Sequence, residues 1–247
     1  MKSPLKLLTA TLATAALALM APPPVEAQFT NPYTFSTWNN PISSSADTAI
    51  MNRAFQRMLG NDASGYSGSG RAEPQAPVVS APLSASAFRP VGGHIMPQRL
   101  AADAALSPVE QRELTALYSS LLDFYHDWLT QEGEQRLQNN VAGAMMYLLL
   151  TSHYLLNDGE EVSQAEQDAI LYDLNDALAD DLTFQTLSPQ AKQEIYETLV
   201  ISAALPLALY FEGYETGDAD LVFQAQQMIE ATLVAVLTGE AGVFNGI

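Results

Sequence analysis

No cysteine occurs in the 247 residues, which excludes disulfide staples, a thiolate zinc site, a cysteine nucleophile and a lipid-modified amino-terminal cysteine. Positive charge is scarce: 10 Lys and Arg stand against 28 Asp and Glu, a formal net charge of −18. Nucleic acid is therefore not an expected partner, because phosphate binding draws its affinity from clustered Lys and Arg. Histidine is rarer still, with three in the whole chain. A di-iron or di-manganese centre in a helical bundle needs a Glu-x-x-His unit from each of two helices and a carboxylate from each of two more. His126 has Asp123 one turn earlier, but His153 has Leu150 there, and no second half-site exists. Charge-free apolar runs are short: residues 141–156 and 199–211 both fall below the roughly 20 residues of a bilayer span.

What is present begins with an export pattern. Lys2 and Lys6 precede an apolar run over residues 7–20, Pro22 to Pro24 end it, and Val25, Glu26 and Ala27 offer a small-residue cleavage site. This is the three-part layout of a secretory signal peptide with cleavage after Ala27, and it predicts a periplasmic or secreted protein. Removing Lys2, Lys6 and Glu26 leaves a net charge of −19, unevenly placed. Residues 28–102 carry five Arg against Asp47, Asp62 and Glu73, whereas residues from 103 onward carry 24 acids against Arg112, Arg136 and Lys192. Two regions with different roles are expected, with an attraction between them.

Residues 28–41 are polar but hold Phe29, Tyr33, Phe35 and Trp38, an aromatic arm that cannot form a core alone. A short helix follows, with Ile50, Ala54, Phe55 and Met58 on one face and Gly60 at its end. Residues 60–87 include 19 Gly, Pro, Ser or Ala among 28, the composition of a flexible linker. Residues 88–101 read as an extended lead-in that packs against something. Five helices then follow. Ser107, Pro108 and Glu110 open the first with a capping box, and its inward face is expected at Leu114, Leu117, Leu121, Tyr125 and Trp128. The second runs from about Asn140 to Asn157. The third is opened by Ser163 and Glu166 and buries Ile170, Leu174 and Leu178. Ser188 and Pro189 open the fourth, which Gly213 should end; Asp218 caps the fifth, which reaches about Thr238, leaving 239–247 as a tail. Helices two and four are apolar nearly all round, so they are expected in the centre of an all-α, up-and-down bundle. Pro206 should kink the fourth.

No catalytic motif survives inspection. The stretch GYSGSG over residues 65–70 does not match the Gly-x-Ser-x-Gly elbow and has no strand before it. Asn157, Asp158, Glu160 and Glu161 share one loop and Glu215, Asp218 and Asp220 another, but neither has the alternating spacing of a calcium loop. Asp173, Asp176 and Asp180 read as a solvated stripe. No cofactor or metal is expected. The binding or interface candidates are Tyr125, His126 and Trp128, whose apolar bodies and polar tips suit ligand pockets, and the aromatics Phe29, Tyr33, Phe35 and Trp38 of the arm, exposed apolar groups unless they dock.

Phe88, Pro90, Met96, Pro97 and Leu100, then Asn140, Val141, Ala142 and Ala144, then Lys192, Gln193, Tyr196 and Glu197 occur in an order that resembles a family of uncharacterised secreted bacterial proteins defined only as a domain of unknown function. The resemblance covers about residues 88–238. It implies an exported helical domain and assigns no catalytic residues. The leading expectation is an exported acidic helical protein that binds an envelope protein or small ligand without catalysis. The alternatives are a metal-assisted hydrolase using His126 and Asp123, a membrane-inserting helical hairpin, and an arm that folds back on the bundle as an internal clamp.

Overall fold

The computed structural model of the chain describes residues 48–57, 80–104 and 106–238. The leader, the arm aromatics Phe29, Tyr33, Phe35 and Trp38, most of the Gly/Pro/Ser/Ala-rich stretch and the tail lie outside the described residues. Within them the chain is all-α. In order come α1 (48–57), a 3-10 turn (Leu83–Ala85), α2 (Met96–Asp103), α3 (Pro108–Gln131), a second 3-10 turn (Gln135–Leu137), α4 (Val141–Leu156), α5 (Gln164–Ala179), α6 (Leu182–Gln185), α7 (Pro189–Thr216) and α8 (Ala219–Thr238). The five long helices α3, α4, α5, α7 and α8 form the up-and-down bundle that the sequence implies.

The helix starts follow from cap chemistry. Ser107 Oγ accepts from the Glu110 amide while Glu110 Oε2 accepts from the Ser107 amide at 2.8 Å, and Ser163 with Glu166 repeats the arrangement on α5. Each box satisfies two amide donors that a helix start leaves without partners. Ser188 caps α7 ahead of Pro189, and Asp218 Oδ1 accepts from the amides of Asp220 and Leu221 to start α8.

Helix α7 is the axis of the bundle. Every residue from 195 to 211 is buried, Pro206 included, and α8, α4 and α3 all pack against it. Helix α7 has 28 residues, longer than its charge-free run over 199–211, and 94% of its most apolar window is buried inside the protein. Helix α8 also has the length and apolar composition of a span, with 39% of its window buried. The expected end at Gly213 is corrected. Helix α7 runs on to Thr216, and Gly217, at φ 71°, closes it in the left-handed conformation that glycine adopts without a Cβ penalty. Gly213 serves a different purpose: a Cβ placed there would lie 2.8 Å from the Asp218 carbonyl and from the Val222 backbone nitrogen, so its bare backbone lets α8 cross close to α7.

On α3 the buried stripe is Leu114, Tyr118, Leu121, Leu122, Tyr125 and Leu129, while the expected Leu117 and Trp128 are half-buried. On α5 Leu171 takes the place expected of Ile170. Both shifts amount to about one residue around the helix.

Two further findings concern the amino-terminal side. Helix α1 is part of the core: Ile50, Met51, Ala54 and Phe55 are each at most 2% exposed. Asn52 Nδ2 donates to the Leu237 carbonyl at the end of α8, Arg53 Nε pairs with Asp181 at 2.8 Å, and Arg57 donates to the Ala177 carbonyl at 3.0 Å. The expected linker also gives way to packed chain by residue 80, for a polar reason. Asn175 Nδ2 donates to the Ala81 carbonyl, Asn140 Nδ2 to the Leu83 carbonyl, and the fully buried Ser86 hydroxyl to Asn175 Oδ1 at 2.7 Å. The Asp176 carboxylate, expected on a solvated stripe, accepts from the Ala81 amide at 2.7 Å. These side chains supply partners to a backbone that bonds to itself only at the 3-10 turn, so small residues form a fixed strap. The second half of the expected extended lead-in, residues 96–101, lies in α2.

The close crossing gives a direct test. Gly213→Ala should lower stability by about 1–3 kcal/mol, the usual cost of overpacking against backbone that cannot yield. Gly93→Ala, where nothing lies within 4 Å of the added carbon, should change urea denaturation midpoints little.

Candidate functional site

The end of α3, the turn after it and the facing sides of α4 and α5 enclose a cleft of about 120 Å³. Tyr125 and Trp128 come from α3 and Met146, Tyr147 and Leu150 from α4, with Leu137 beside them. Tyr125 and Tyr147 face each other at a ring-centroid distance of 4.6 Å, and Trp128 completes the cluster at 5.9 Å from Tyr125 and 6.2 Å from Tyr147. Helical spacing explains the grouping: Tyr125 and Trp128 are three apart on one helix, Tyr147 and Leu150 three apart on the next.

The rim is polar. Glu132 and Glu134 follow α3, Gln164, Gln167 and Asp168 stand on the first turns of α5, and Thr151 lies on α4. The chain turns here at Gly133, at φ 77°, before the 3-10 turn that carries Arg136 over α5. Arg136 Nε donates to Glu134 at 2.7 Å and its Nη2 to Asp168 at 3.0 Å. The hydrogen bond to Glu134 and then that to Asp168 raise the guanidinium pKa further, against the opposing effect of burial. The Trp128 indole N–H is buried with no hydrogen-bond partner. The Tyr147 hydroxyl is likewise buried and makes no full hydrogen bond, although the Thr151 side chain lies close enough to bias its ionisation. Burial pushes the hydroxyls of Tyr125 and Tyr147 well above the ordinary tyrosine range. Both stay neutral, so the cleft offers ring surface and hydrogen-bonding edges but no phenolate base.

A second polar cluster lies where the strap crosses the start of α7. Glu197 is 2% exposed, and its Oε2 accepts from the amides of Ile95 and Met96, each at 2.8 Å. Gln193 donates to Glu197 Oε1 at 2.8 Å and to the Gly93 carbonyl at 3.0 Å, and accepts from the Val91 amide at 2.9 Å. His94 sits between two carboxylates, with Nε2 3.0 Å from Asp123 and Nδ1 3.6 Å from Glu197. Its pKa is raised to about 9, chiefly by Glu197. Burial by itself would raise the Glu197 carboxyl; His94, the Ile95 and Met96 amides and Gln193 outweigh it and hold the carboxyl below its ordinary value.

The sequence candidates thus separate. Tyr125 and Trp128 meet in the cleft. His126, from the same helix, points away to the Tyr196 hydroxyl at 2.9 Å, and burial followed by the charge of His94 lowers its pKa. Asp123 pairs with His94 rather than with His126. Among the described residues no group of three or more His, Asp or Glu is disposed to hold a metal ion. Sequence reasoning missed Tyr147, Met146, Arg136 and Asp168 in the cleft, and His94 and Glu197 in the cluster. A signal for Arg136 existed: it is one of only two cations after Arg112.

A family model described as a family of unknown function (DUF6683) matches residues 6–238. The chain belongs to that family, and the match reaches well ahead of the expected start near residue 88. No curated protein matches the chain, and no solved structure does.

The His94 geometry sets a pH dependence. A raised folded-state pKa means that the stabilisation is complete below the unfolded value near 6.5 and is lost as pH rises through about 9. Urea denaturation across pH should show the chain more stable than His94→Gln at pH 6, with the difference largely gone by pH 10. Equal pH profiles for the two proteins contradict the assignment.

Proposed function

We propose that the protein is an exported, acidic helical binding module that takes a small ligand into the aromatic cleft and performs no catalysis on it. The observation that carries this reading is the cleft itself. A few polar groups converge on a mostly aromatic and aliphatic concavity, which is the usual make-up of a ligand site, and the Trp128 N–H in its wall is buried without an acceptor. A buried donor left unpaired costs about 1–3 kcal/mol, a cost that a ligand acceptor or an ordered water removes.

The polar clusters favour binding over chemistry. Both ring nitrogens of His94 face carboxylates, and Nε2 of His126 is engaged by Tyr196. Export rests on the charged start, the apolar run and the Ala27 cleavage pattern, and it places the ligand among the solutes of the periplasm or the exterior.

Thermal denaturation of the chain from Gln28, run against a panel of compact sugars, carboxylates and amines, tests the reading. At least one compound should raise Tm in a saturable way, because a ligand that binds only the folded state stabilises it. Gln164→Trp, a substitution at an exposed rim position that covers the mouth, should leave the unliganded Tm within a degree or two and abolish the shift. A flat response across the panel contradicts the reading.

A further inference from the structure

We infer that the ligand of the cleft is a compact organic cation, a tertiary or quaternary ammonium group on a small body. The inference deepens the binding reading and rests on it. Three observations carry it, and each concerns a different property of the site.

The first is charge. The lining holds three carboxylates, Glu132, Glu134 and Asp168, and one cation, Arg136. Arg136 is already bonded to two of the three acids, so it has little to offer an anionic ligand, and the lining keeps a formal charge of −2. Glu132 is the carboxylate that Arg136 does not contact. An anion entering here meets net repulsion, and a neutral solute gains nothing from the charge. The second is ring surface. Tyr125, Trp128 and Tyr147 form one cluster with all three centroid distances between 4.6 and 6.2 Å, in which the half-buried Trp128 presents ring surface to the cleft and Tyr125 and Tyr147, 1% and 5% exposed, back it. The negative faces of such rings attract a cation within about 6 Å, by about 0.5–2 kcal/mol per contact depending on desolvation. An alkylated ammonium spreads its charge over methyl groups and loses little on leaving water, so it suits a site that is aromatic inside and acidic at the mouth. The third is size. A cleft of about 120 Å³ is close to the roughly 150 Å³ cavity that admits benzene, which leaves room for a head group of five or six heavy atoms.

The combination also rejects the obvious competitors. A primary ammonium or a metal ion would demand a full set of oxygen ligands, and the inner wall is mainly ring and aliphatic carbon, with the tyrosine hydroxyls and the Trp128 N–H as its few polar atoms. A long acyl chain exceeds the volume. A sugar needs several acceptor and donor pairs inside, whereas the charged and amide side chains here sit at the rim and the wall adds only the tyrosine hydroxyls and one indole N–H.

Three probes of one shape separate charge from shape: choline, its uncharged isostere 3,3-dimethylbutan-1-ol and the anion 3,3-dimethylbutanoate. The measurement uses the chain from Gln28 carrying Trp38→Phe, which leaves Trp128 as the sole indole fluorophore. Choline should change Trp128 emission in a saturable way, the alcohol should bind at least tenfold more weakly, and the carboxylate should have no effect. Glu132→Gln should weaken choline by about three- to tenfold without altering the alcohol, and Gln164→Phe, which covers the mouth without adding an indole, should remove both responses. Equal affinity for choline and the alcohol overturns the cation inference and leaves the binding reading standing. Binding of the carboxylate in preference to choline overturns it likewise. Silence from all three probes also overturns it, while the wider panel of sugars, carboxylates and amines decides separately whether the cleft binds anything.

Discussion

A carboxylate buried on the central helix sets the terms for the amino-terminal half of the domain. Glu197 lies two residues beyond the point where α7 becomes continuously buried, and a buried charge is tolerable only when its oxygens are fully served by donors. The donors come from the strap: two successive amides at Ile95 and Met96, with His94 beside them and Gln193 one turn earlier on α7. Serving that carboxylate fixes residues 91–96 against α7, and this in turn fixes the start of α2. Phe88 then lies edge-on to Tyr196 at 5.4 Å, and Asn140 and Asn175 hold the preceding residues 81–86. Removing one partner of a buried charge commonly costs about 3–5 kcal/mol, a large share of the stability of an ordinary domain.

The uneven charge of the chain acquires a structural meaning from the same contacts. Arg53 meets Asp181 and Arg99 meets Glu194 at 2.7 Å, so cations from the basic amino-terminal side are spent on acids of the bundle. Few positive groups remain for the far side of α3. There Arg136 alone faces three carboxylates around an aromatic floor, and the surplus negative charge of the bundle becomes a local property of the cleft. The residues that carried the family resemblance fall mainly on the strap side: Asn140, Gln193, Tyr196 and Glu197 bond to or pack on residues 83–96. They are explained by architecture, and the cleft is formed by other residues.

Much of this was legible in the sequence because helix punctuation is local chemistry. Ser107 with Glu110, Ser163 with Glu166, and Pro189 after Ser188 each announce a helix through atoms no more than four residues apart. Gly213 was misread because its reason is not local: a glycine that lets another helix approach looks the same in sequence as one that ends a helix. The strap was hidden for a similar reason. Small residues at 80–87 have the composition of a linker, and distant side chains, chiefly Asn140 and Asn175, 54 and 89 residues from Ser86, convert that stretch into fixed structure. In the cleft, Tyr125 and Trp128 were legible as amphipathic aromatics. Tyr147 was not, since it sits in a helix that is apolar on every face, where periodicity carries no information about which side meets a neighbour.

The dependence of the strap on Glu197 is the central claim, and amide hydrogen exchange tests it most directly. In the full chain near neutral pH the amides of Ile95 and Met96 should exchange as slowly as those in the middle of α7, since they open only when the buried carboxylate loses its partners. In Glu197→Gln, which retains one acceptor oxygen and loses the charge, both amides should lose at least tenfold in protection relative to the α7 amides. Rapid exchange of Ile95 and Met96 in the unaltered chain, at the rate of exposed loop amides, contradicts the account.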